Sequence, residues 1–125
     1  MKEFQGIDVS YCQKTVNWQK VKESGIRFAM VRTARCHNDG RLKMDGMFEK
    51  HIQGALAAGL DVGAWVYSYA TTPAAARRAA RELVAAVKPY KVTYPLALDI
   101  EYEDIYINAT PEQNTKIVAA FCDEV

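Results

Sequence analysis

Residues 95–101 read Pro95-Leu96-Ala97-Leu98-Asp99-Ile100-Glu101, a short apolar run that ends in two acidic side chains. Apolar runs of this length, without strict alternation, are typical of strands whose sheet is covered on both faces. Such strands belong to parallel sheets, in which neighbouring strands are joined by long crossovers that are usually helical. The stretch therefore predicts a parallel sheet in an α/β fold.

The rest of the chain repeats a strand followed by a helix. Strands are predicted at residues 61–69, 26–33 and 4–9, each short, rich in β-branched or aromatic residues and bounded by turn residues. Helices are predicted around Trp18, over residues 45–58, from Thr72-Pro73 to about Lys88, and from Thr110-Pro111 onward. Four strands alternating with four helices indicate consecutive parallel β/α units.

Two architectures contain such units: an open doubly wound sheet, and a TIM-like (β/α) barrel of which this chain holds about the first four units. A complete barrel takes about 250 residues, whereas this chain has 125 residues, so length favours the open sheet. A dinucleotide-binding sheet requires a G-x-G-x-x-G loop after its first strand. The stretch Gly6-Ile7-Asp8-Val9-Ser10 has no such loop, which argues against a nucleotide-binding version.

Composition narrows the possible partners and location. The chain is 50% hydrophobic and 25% charged with a formal net charge of +1, as expected for one globular domain without the basic face of a nucleic-acid-binding protein. No apolar run approaches the roughly 20 residues that span a bilayer, so no membrane partner is expected. The opening Met1-Lys2-Glu3-Phe4 leads into structured sequence without the apolar stretch of a signal peptide, and the chain as given is expected in the cytosol.

The cysteines and histidines give no metal-binding pattern. Cys12, Cys36 and Cys122 lack the C-x-x-C spacing of a zinc site, and His37 and His51 are distant in sequence. Unpaired thiols and hydrogen-bonded or solvated histidines are therefore expected, with a disulfide between Cys12 and Cys36 as the alternative. We predict no metal and no cofactor.

Asp99 and Glu101 are the first candidates for chemistry. Residues two apart on a strand point to the same side, with Cα atoms about 6.6 Å apart, which suits the carboxyl separation of about 5 to 5.5 Å in retaining glycosidases. Two such carboxylates cannot ionise independently, so one retains its proton. From the residues alone, both a catalytic pair and ordinary strand-end residues remain open. Asp8 and Arg32 also lie near predicted carboxyl ends of strands, where active sites of parallel α/β folds form.

Six stretches, taken in order, form a more specific pattern: Gly6-Ile7-Asp8-Val9-Ser10, Val16-Asn17-Trp18-Gln19-Lys20-Val21-Lys22, Gly25-Ile26-Arg27-Phe28-Ala29-Met30-Val31-Arg32, Ala57-Ala58-Gly59-Leu60-Asp61-Val62-Gly63, Tyr67-Ser68-Tyr69-Ala70, and residues 95–101. Together they resemble the family 25 glycoside hydrolases, lysozymes that cut the N-acetylmuramic acid to N-acetylglucosamine bond of peptidoglycan. The resemblance implies that residues 1–125 are the N-terminal part of the catalytic domain, with about four β/α units of an incomplete barrel.

The resemblance also implies roles for the acidic residues. Glu101 is expected to protonate the departing glycosidic oxygen, and Asp99 to act as the nucleophile or to orient the N-acetyl group of the substrate. Either route retains the anomeric configuration. Asp8 matches a further acidic position of the family's site, with a structural strand-end aspartate as the alternative.

Aromatic residues and one arginine complete the predicted site. Trp65 stands where many members of the family carry a tyrosine. Trp65, Tyr67 and Tyr69 are candidates for stacking on sugar rings. The alternative is a place in the core, which is more common for aromatic residues on apolar strands. Arg32 is a further candidate for substrate binding.

The expected partner is the glycan strand of peptidoglycan, reached by secretion or by release in the manner of a phage lysin. A chitinase-like barrel is a weaker alternative, because that family needs another aspartate where Ala97 stands. A non-catalytic alternative is a fragment that acts only in glycan binding or self-association. Four strands alone would leave unpaired sheet edges, so a truncated product, a deliberate half-barrel or a homo-oligomer formed through these edges is expected.

Overall fold

The computed structural model describes residues 2–101 and 103–125, so Met1, the first residue of the opening stretch without a signal-peptide pattern, lies outside it. Within these residues the strands are β1 (Gly6–Val9), β2 (Phe28–Cys36), β3 (Leu42–Met44), β4 (Asp61–Tyr67) and β5 (Leu96–Asp99). The helices are α1 (Trp18–Glu23), α2 (Phe48–Ala57), α3 (Pro73–Val87), α4 (Asp104–Ile107) and α5 (Pro111–Glu124). A single 3-10 turn, Tyr11–Gln13, follows β1.

The predicted parallel sheet is confirmed. Strands β1, β2, β4 and β5 pair in parallel and in that order, so each β/α unit adds its strand beside the previous parallel strand. A doubly wound sheet instead reverses its strand order at a switch point. The observed order is therefore that of consecutive units wound in one direction.

Strand β3 was not predicted. It pairs antiparallel with the last residues of β2, and a tight turn through Gly40, whose φ is +91°, joins the two strands. The backbone N–H of His37 donates to the carbonyl of Arg41 at 2.8 Å and closes this hairpin. Its three residues are too few to show the alternation by which a strand is recognised in sequence.

Two helix starts were predicted at the correct residues because their capping chemistry is local. The Thr72 side chain accepts from the N–H of Ala75 at 3.1 Å, and Thr110 forms a capping box with Gln113. Helix α2 begins at Phe48, later than predicted. The preceding Asp45 accepts from the N–H of Met47 at 2.8 Å and holds a turn there.

The helices cover one face of the sheet. Small and β-branched side chains on this face are fully buried, namely Ala29, Val31, Val62, Ala64 and Val66. Between these positions the strands present a second face, whose residues are mostly only half-buried. The expectation that both faces are covered is therefore wrong for the described residues, and the open face is where polar side chains can meet a ligand.

The last two features of the fold are the state of the cysteines and the length of the helices. Cys36 is buried within β2, Cys12 and Cys122 are exposed, and all three are free thiols. None of the helices that the structure describes is both long enough and apolar enough to span a bilayer.

Candidate active site

The predicted site residues of β1, β2, β4 and β5 share the open face of the sheet. The parallel register pairs Asp8 with Met30, Arg32 with Trp65, and Tyr67 with Asp99. Paired residues of neighbouring strands project to the same face. Folding thus gathers side chains from distant parts of the sequence near the carboxyl ends of these four strands.

Asp99 and Glu101 interact, but they do not lie two positions apart on one strand as predicted. Strand β5 ends at Asp99, so Ile100 and the exposed Glu101 lie beyond it, and the prediction of one continuous strand through residue 101 is wrong. The carbonyl of Asp99 accepts from the N–H of Ser68 at 2.9 Å, which fixes the strand end. The Asp99 and Glu101 carboxyl groups are nevertheless close enough to share a hydrogen bond when one of them is protonated.

The Asp99 carboxyl group keeps its proton to a higher pH than an ordinary aspartate does. Burial is the main cause that raises its pKa from 3.8 to about 6, followed by the hydrogen bond and the negative charge of Glu101. The charge of Asp8 adds to the rise, and the Arg32 guanidinium opposes it. Such a pair of carboxyl groups titrates as one unit, and it can carry one proton and one negative charge.

Asp8 is the third acidic group of the cluster. Burial raises its pKa, and a hydrogen bond from the Trp65 side chain acts in the opposite direction. The indole Nε1 of Trp65 also lies 3.4 Å from the carbonyl oxygen of Met30. The indole N–H of Trp65 therefore has its polar partners within the sheet.

Arg32 is held among aromatic rings. Its guanidinium carbon lies 5.4 Å from the ring centres of Tyr11 and Tyr67 and 5.7 Å from that of Trp65, within the range of cation–π attraction. Its Nε lies 3.8 Å from Oδ2 of Asp45, whose side chain is almost fully buried. The arginine thus supplies a fixed positive charge next to Asp99.

Glu103 was missed by the sequence analysis. Its Oε1 accepts from the Tyr67 hydroxyl at 2.7 Å and from the Tyr69 hydroxyl at 3.3 Å, and the two rings lie 5.4 Å apart. Burial, then the hydrogen bond and charge of Glu103, raise the pKa of Tyr67 far above its usual value, so this hydroxyl stays protonated. The only signal in the sequence was the acidic composition of residues 99–104.

A groove of about 480 Å³ opens next to Arg32 and Tyr67. Of the predicted site residues, Arg32, Tyr67 and Tyr69 line it, whereas Asp8, Trp65, Asp99 and Glu101 do not. The remaining lining residues, Tyr11, Arg35, Lys43, Met44, Asp45 and Gly46, were not predicted. Tyr67, which lines the groove, is paired with Asp99, and the other lining residues include members of β2 and β3.

The histidines and acidic residues form no metal centre in the described part of the chain. Residues 2–101 and 103–125 contain no group of three or more His, Cys, Asp or Glu side chains that could hold a metal ion. His51 is buried, with its Nε2 2.9 Å from the carbonyl oxygen of Ser10 and its ring edge-on to Trp18. His51 is therefore a hydrogen-bonded histidine of the core.

Sequence comparison identifies the family. Residues 7–125 match the family model of Glycosyl hydrolases family 25. The chain belongs to this family. This finding confirms the resemblance inferred from the six sequence stretches, and the parallel α/β fold agrees with solved structures of the family.

Individual relatives of this family 25 chain differ in how much of each protein is matched. Lysozyme M1 of Streptomyces globisporus is 34% identical over 64 residues, which are 51% of this chain and 20% of that protein. A family GH25 lysozyme from Aspergillus fumigatus superposes with a TM-score of 0.79 and 26% identity over 97% of this chain and 58% of its own. The modular autolysin LytC from Streptococcus pneumoniae, in complex with a synthetic peptidoglycan ligand, gives a TM-score of 0.77 and 23% identity over 94% and 28%. The chain thus spans less than two thirds of these relatives.

Proposed function

We propose that this family 25 chain is a lysozyme-type glycoside hydrolase that cleaves the N-acetylmuramic acid to N-acetylglucosamine bond of bacterial peptidoglycan with retention of configuration. The Asp99 and Glu101 carboxyl groups, which share a proton and a hydrogen bond at about pH 6, carry the proposal. Glycosidases need one protonated and one ionised carboxyl group at the scissile bond. Two of the matched relatives are described as lysozymes, and LytC was solved with a peptidoglycan ligand.

Glu101 is assigned as the general acid. Its side chain is exposed beyond the end of β5, where it can reach a glycosidic oxygen, whereas Asp99 is fixed at the strand end beside Tyr67. In the free protein the raised pKa falls on Asp99, so the shared proton passes to Glu101 through their hydrogen bond before the leaving oxygen takes it. Asp99 then carries the negative charge that the chemistry requires.

Asp99 has two possible tasks, both of which retain configuration. As a nucleophile it would attack the anomeric carbon and form a covalent glycosyl intermediate that water then hydrolyses. Alternatively, it would orient the substrate's N-acetyl group, whose oxygen would attack the same carbon. In both routes Glu101, having lost its proton, accepts one from the incoming water.

The other predicted residues support this pair. Asp8 raises the pKa of Asp99 through its charge, and Arg32 lowers it, so the two set the pH at which the pair loses its last proton. Tyr67 and Tyr69 line the groove and offer ring faces for sugar stacking. Trp65 is assigned a positioning role at Asp8, because it does not line the groove.

We further propose that residues 1–125 correspond to about the first four units of a TIM-like barrel. The sequential strand order, the helices on one face, and the superposition of 97% of this chain on 58% of the Aspergillus fumigatus lysozyme support this assignment. If the chain acts alone, association of two copies through the edges of β1 or β5 would supply the missing wall. The site of action is the cell wall, reached by secretion or by lysin-like release.

The test is release of reducing sugar ends from purified peptidoglycan by the 125-residue chain. Glu101→Gln should lower the rate by roughly 10²- to 10⁴-fold, because it removes the general acid. Glu112→Gln, at an exposed position in the first turn of α5, is the matched control and should leave the rate unchanged. The rate of the parent chain should fall as pH rises through about 6, where the pair loses its proton.

Absence of release by the parent chain from about pH 4 to about pH 8 would overturn the proposal that this chain is itself an enzyme. It would leave the alternative of a fragment that acts in glycan binding or self-association. Equal release by the parent and by Glu101→Gln would instead remove Glu101 from the mechanism.

A further inference from the structure

Two cations, Arg35 and Lys43, lie side by side in the lining of the groove. They are directly paired across the antiparallel strands β2 and β3, so their side chains share one face. Within the described residues neither side chain has a carboxylate partner within 4.0 Å, whereas Arg32 in the same lining has Asp45. Like charges directly opposite each other on a sheet are destabilising, so the pair costs stability in the free protein.

An irregularity in β2 places Arg35 in the groove. Regular alternation would put residues 32 and 35, three positions apart, on opposite faces of the sheet. The register of β2 with β4 shifts between Arg32 and Ala34, after which Ala34 pairs with the buried Val66 and Arg35 pairs with Tyr67. Bulges of this kind re-aim side chains next to active sites. Here the bulge adds a second arginine to the open face.

The surroundings of the two cations suit a sugar that carries an acidic group. Tyr67 and Tyr69, which line the same groove as the two cations, supply aromatic faces. Aromatic rings favour apolar sugar faces, whereas a guanidinium fork and an ammonium group bind carboxylates.

We propose that Arg35 and Lys43 form a carboxylate-binding subsite that selects glycans containing muramic acid over neutral polymers of N-acetylglucosamine. The inference rests on the proposed function. The ligand is a carboxylate on the muramic acid residue, either that of its lactyl ether or one on the peptide attached to it. The half-buried Arg35 is the stronger partner, because a partly desolvated charge gains more from pairing.

The test measures binding rather than turnover, in the 125-residue chain with Glu101→Gln so that the ligands survive. Three soluble glycans of equal length are titrated calorimetrically: a peptide-free muramic acid glycan, the same glycan with peptides on its lactyl groups, and a neutral N-acetylglucosamine oligomer. Adding Arg35→Gln and Lys43→Gln should weaken binding of an acidic glycan roughly tenfold and reduce its salt dependence. Binding of the neutral oligomer should not change.

The matched control is the double variant Arg77→Gln and Lys50→Gln, which removes one half-buried arginine and one exposed lysine from the helical layer. It should bind all three glycans as the parent does. An effect on the peptide-free glycan alone identifies the lactyl carboxylate, and an effect on the peptide-bearing glycan alone identifies the peptide; both results support the subsite.

Equal losses for the neutral oligomer and the acidic glycans would overturn the subsite, since they would indicate general damage to the groove. Unchanged binding of both acidic glycans, or no binding of either by the Glu101→Gln chain, would overturn it as well. These outcomes are distinct from a failure of the proposed hydrolase function, which is judged from reducing-end release by the parent chain.

Discussion

Asp99→Asn should make the folded chain more stable at neutral pH while removing a residue of the proposed mechanism. Each tenfold change in a proton dissociation constant corresponds to about 1.4 kcal/mol. Raising the pKa of Asp99 from 3.8 to about 6 therefore costs the folded state at most about 3 kcal/mol once the group is ionised. Because Asp99 is only partly buried, solvent screening reduces the expected cost to about 1 kcal/mol.

The sign of this effect depends on pH. The folded chain binds the Asp99 proton more tightly than the unfolded chain does, so the free energy of unfolding falls as pH rises from about 4 to about 6. Asparagine cannot ionise and avoids this loss. The stability difference between Asp99→Asn and the parent should therefore be near zero at about pH 4 and reach about 1 kcal/mol above about pH 6.

Urea unfolding of the parent chain and of Asp99→Asn at several pH values measures this difference. Glu3→Gln, at an exposed position before β1 and away from the acidic cluster, controls for removal of any carboxylate. A difference that is the same at every pH, or one that shrinks as pH rises, would refute the reasoning. In that case the acidic cluster would not be strained in the free protein.

Two further predictions concern positions that support the site. Tyr106→Phe removes a buried hydroxyl that lies 2.6 Å from Ser68 and donates to a backbone carbonyl at 2.9 Å. The substitution should lower the free energy of unfolding by about 2 kcal/mol in urea titrations, whereas the control Tyr94→Phe should change it little. Gly63→Ala would place a Cβ 2.5 Å from a methionine sulfur and 2.6 Å from a backbone carbonyl oxygen. This substitution should lower the free energy of unfolding by about 2 kcal/mol in the same assay. Gly46→Ala, whose added Cβ would meet nothing within 4 Å, should leave the free energy of unfolding unchanged.

The parallel fold could be predicted because its signals are local. Apolar runs, helix-capping threonines and terminal glycines act within a few residues, and they located the four parallel strands and the starts of α3 and α5. Strand ends were less predictable. The apolar Ile100 prolonged the predicted strand, yet β5 stops at Asp99, where its backbone pairing with β4 ends.

Only those members of the acidic cluster that lie at strand ends could be predicted from the sequence. Asp8, Arg32 and Asp99 follow apolar strand residues, and a parallel sheet brings such positions to one edge, so their grouping follows from topology. Glu103 and Asp45 lie outside the predicted strands. Their contacts with Tyr67 and Arg32 depend on how the chain turns after β5 and β3, which no local pattern specifies.

The presence of Arg35 in the groove depends on the bulge in β2. By simple alternation Arg35 would face the helices, where an unpaired guanidinium would be buried among apolar side chains at a prohibitive cost. With the bulge, Ala34 takes that side next to Thr33, which is fully buried and whose hydroxyl has no hydrogen-bond partner within the described residues. The fold thus tolerates one unsatisfied hydroxyl and two adjacent cations at this point. Such a local cost is expected where side-chain placement serves binding rather than stability.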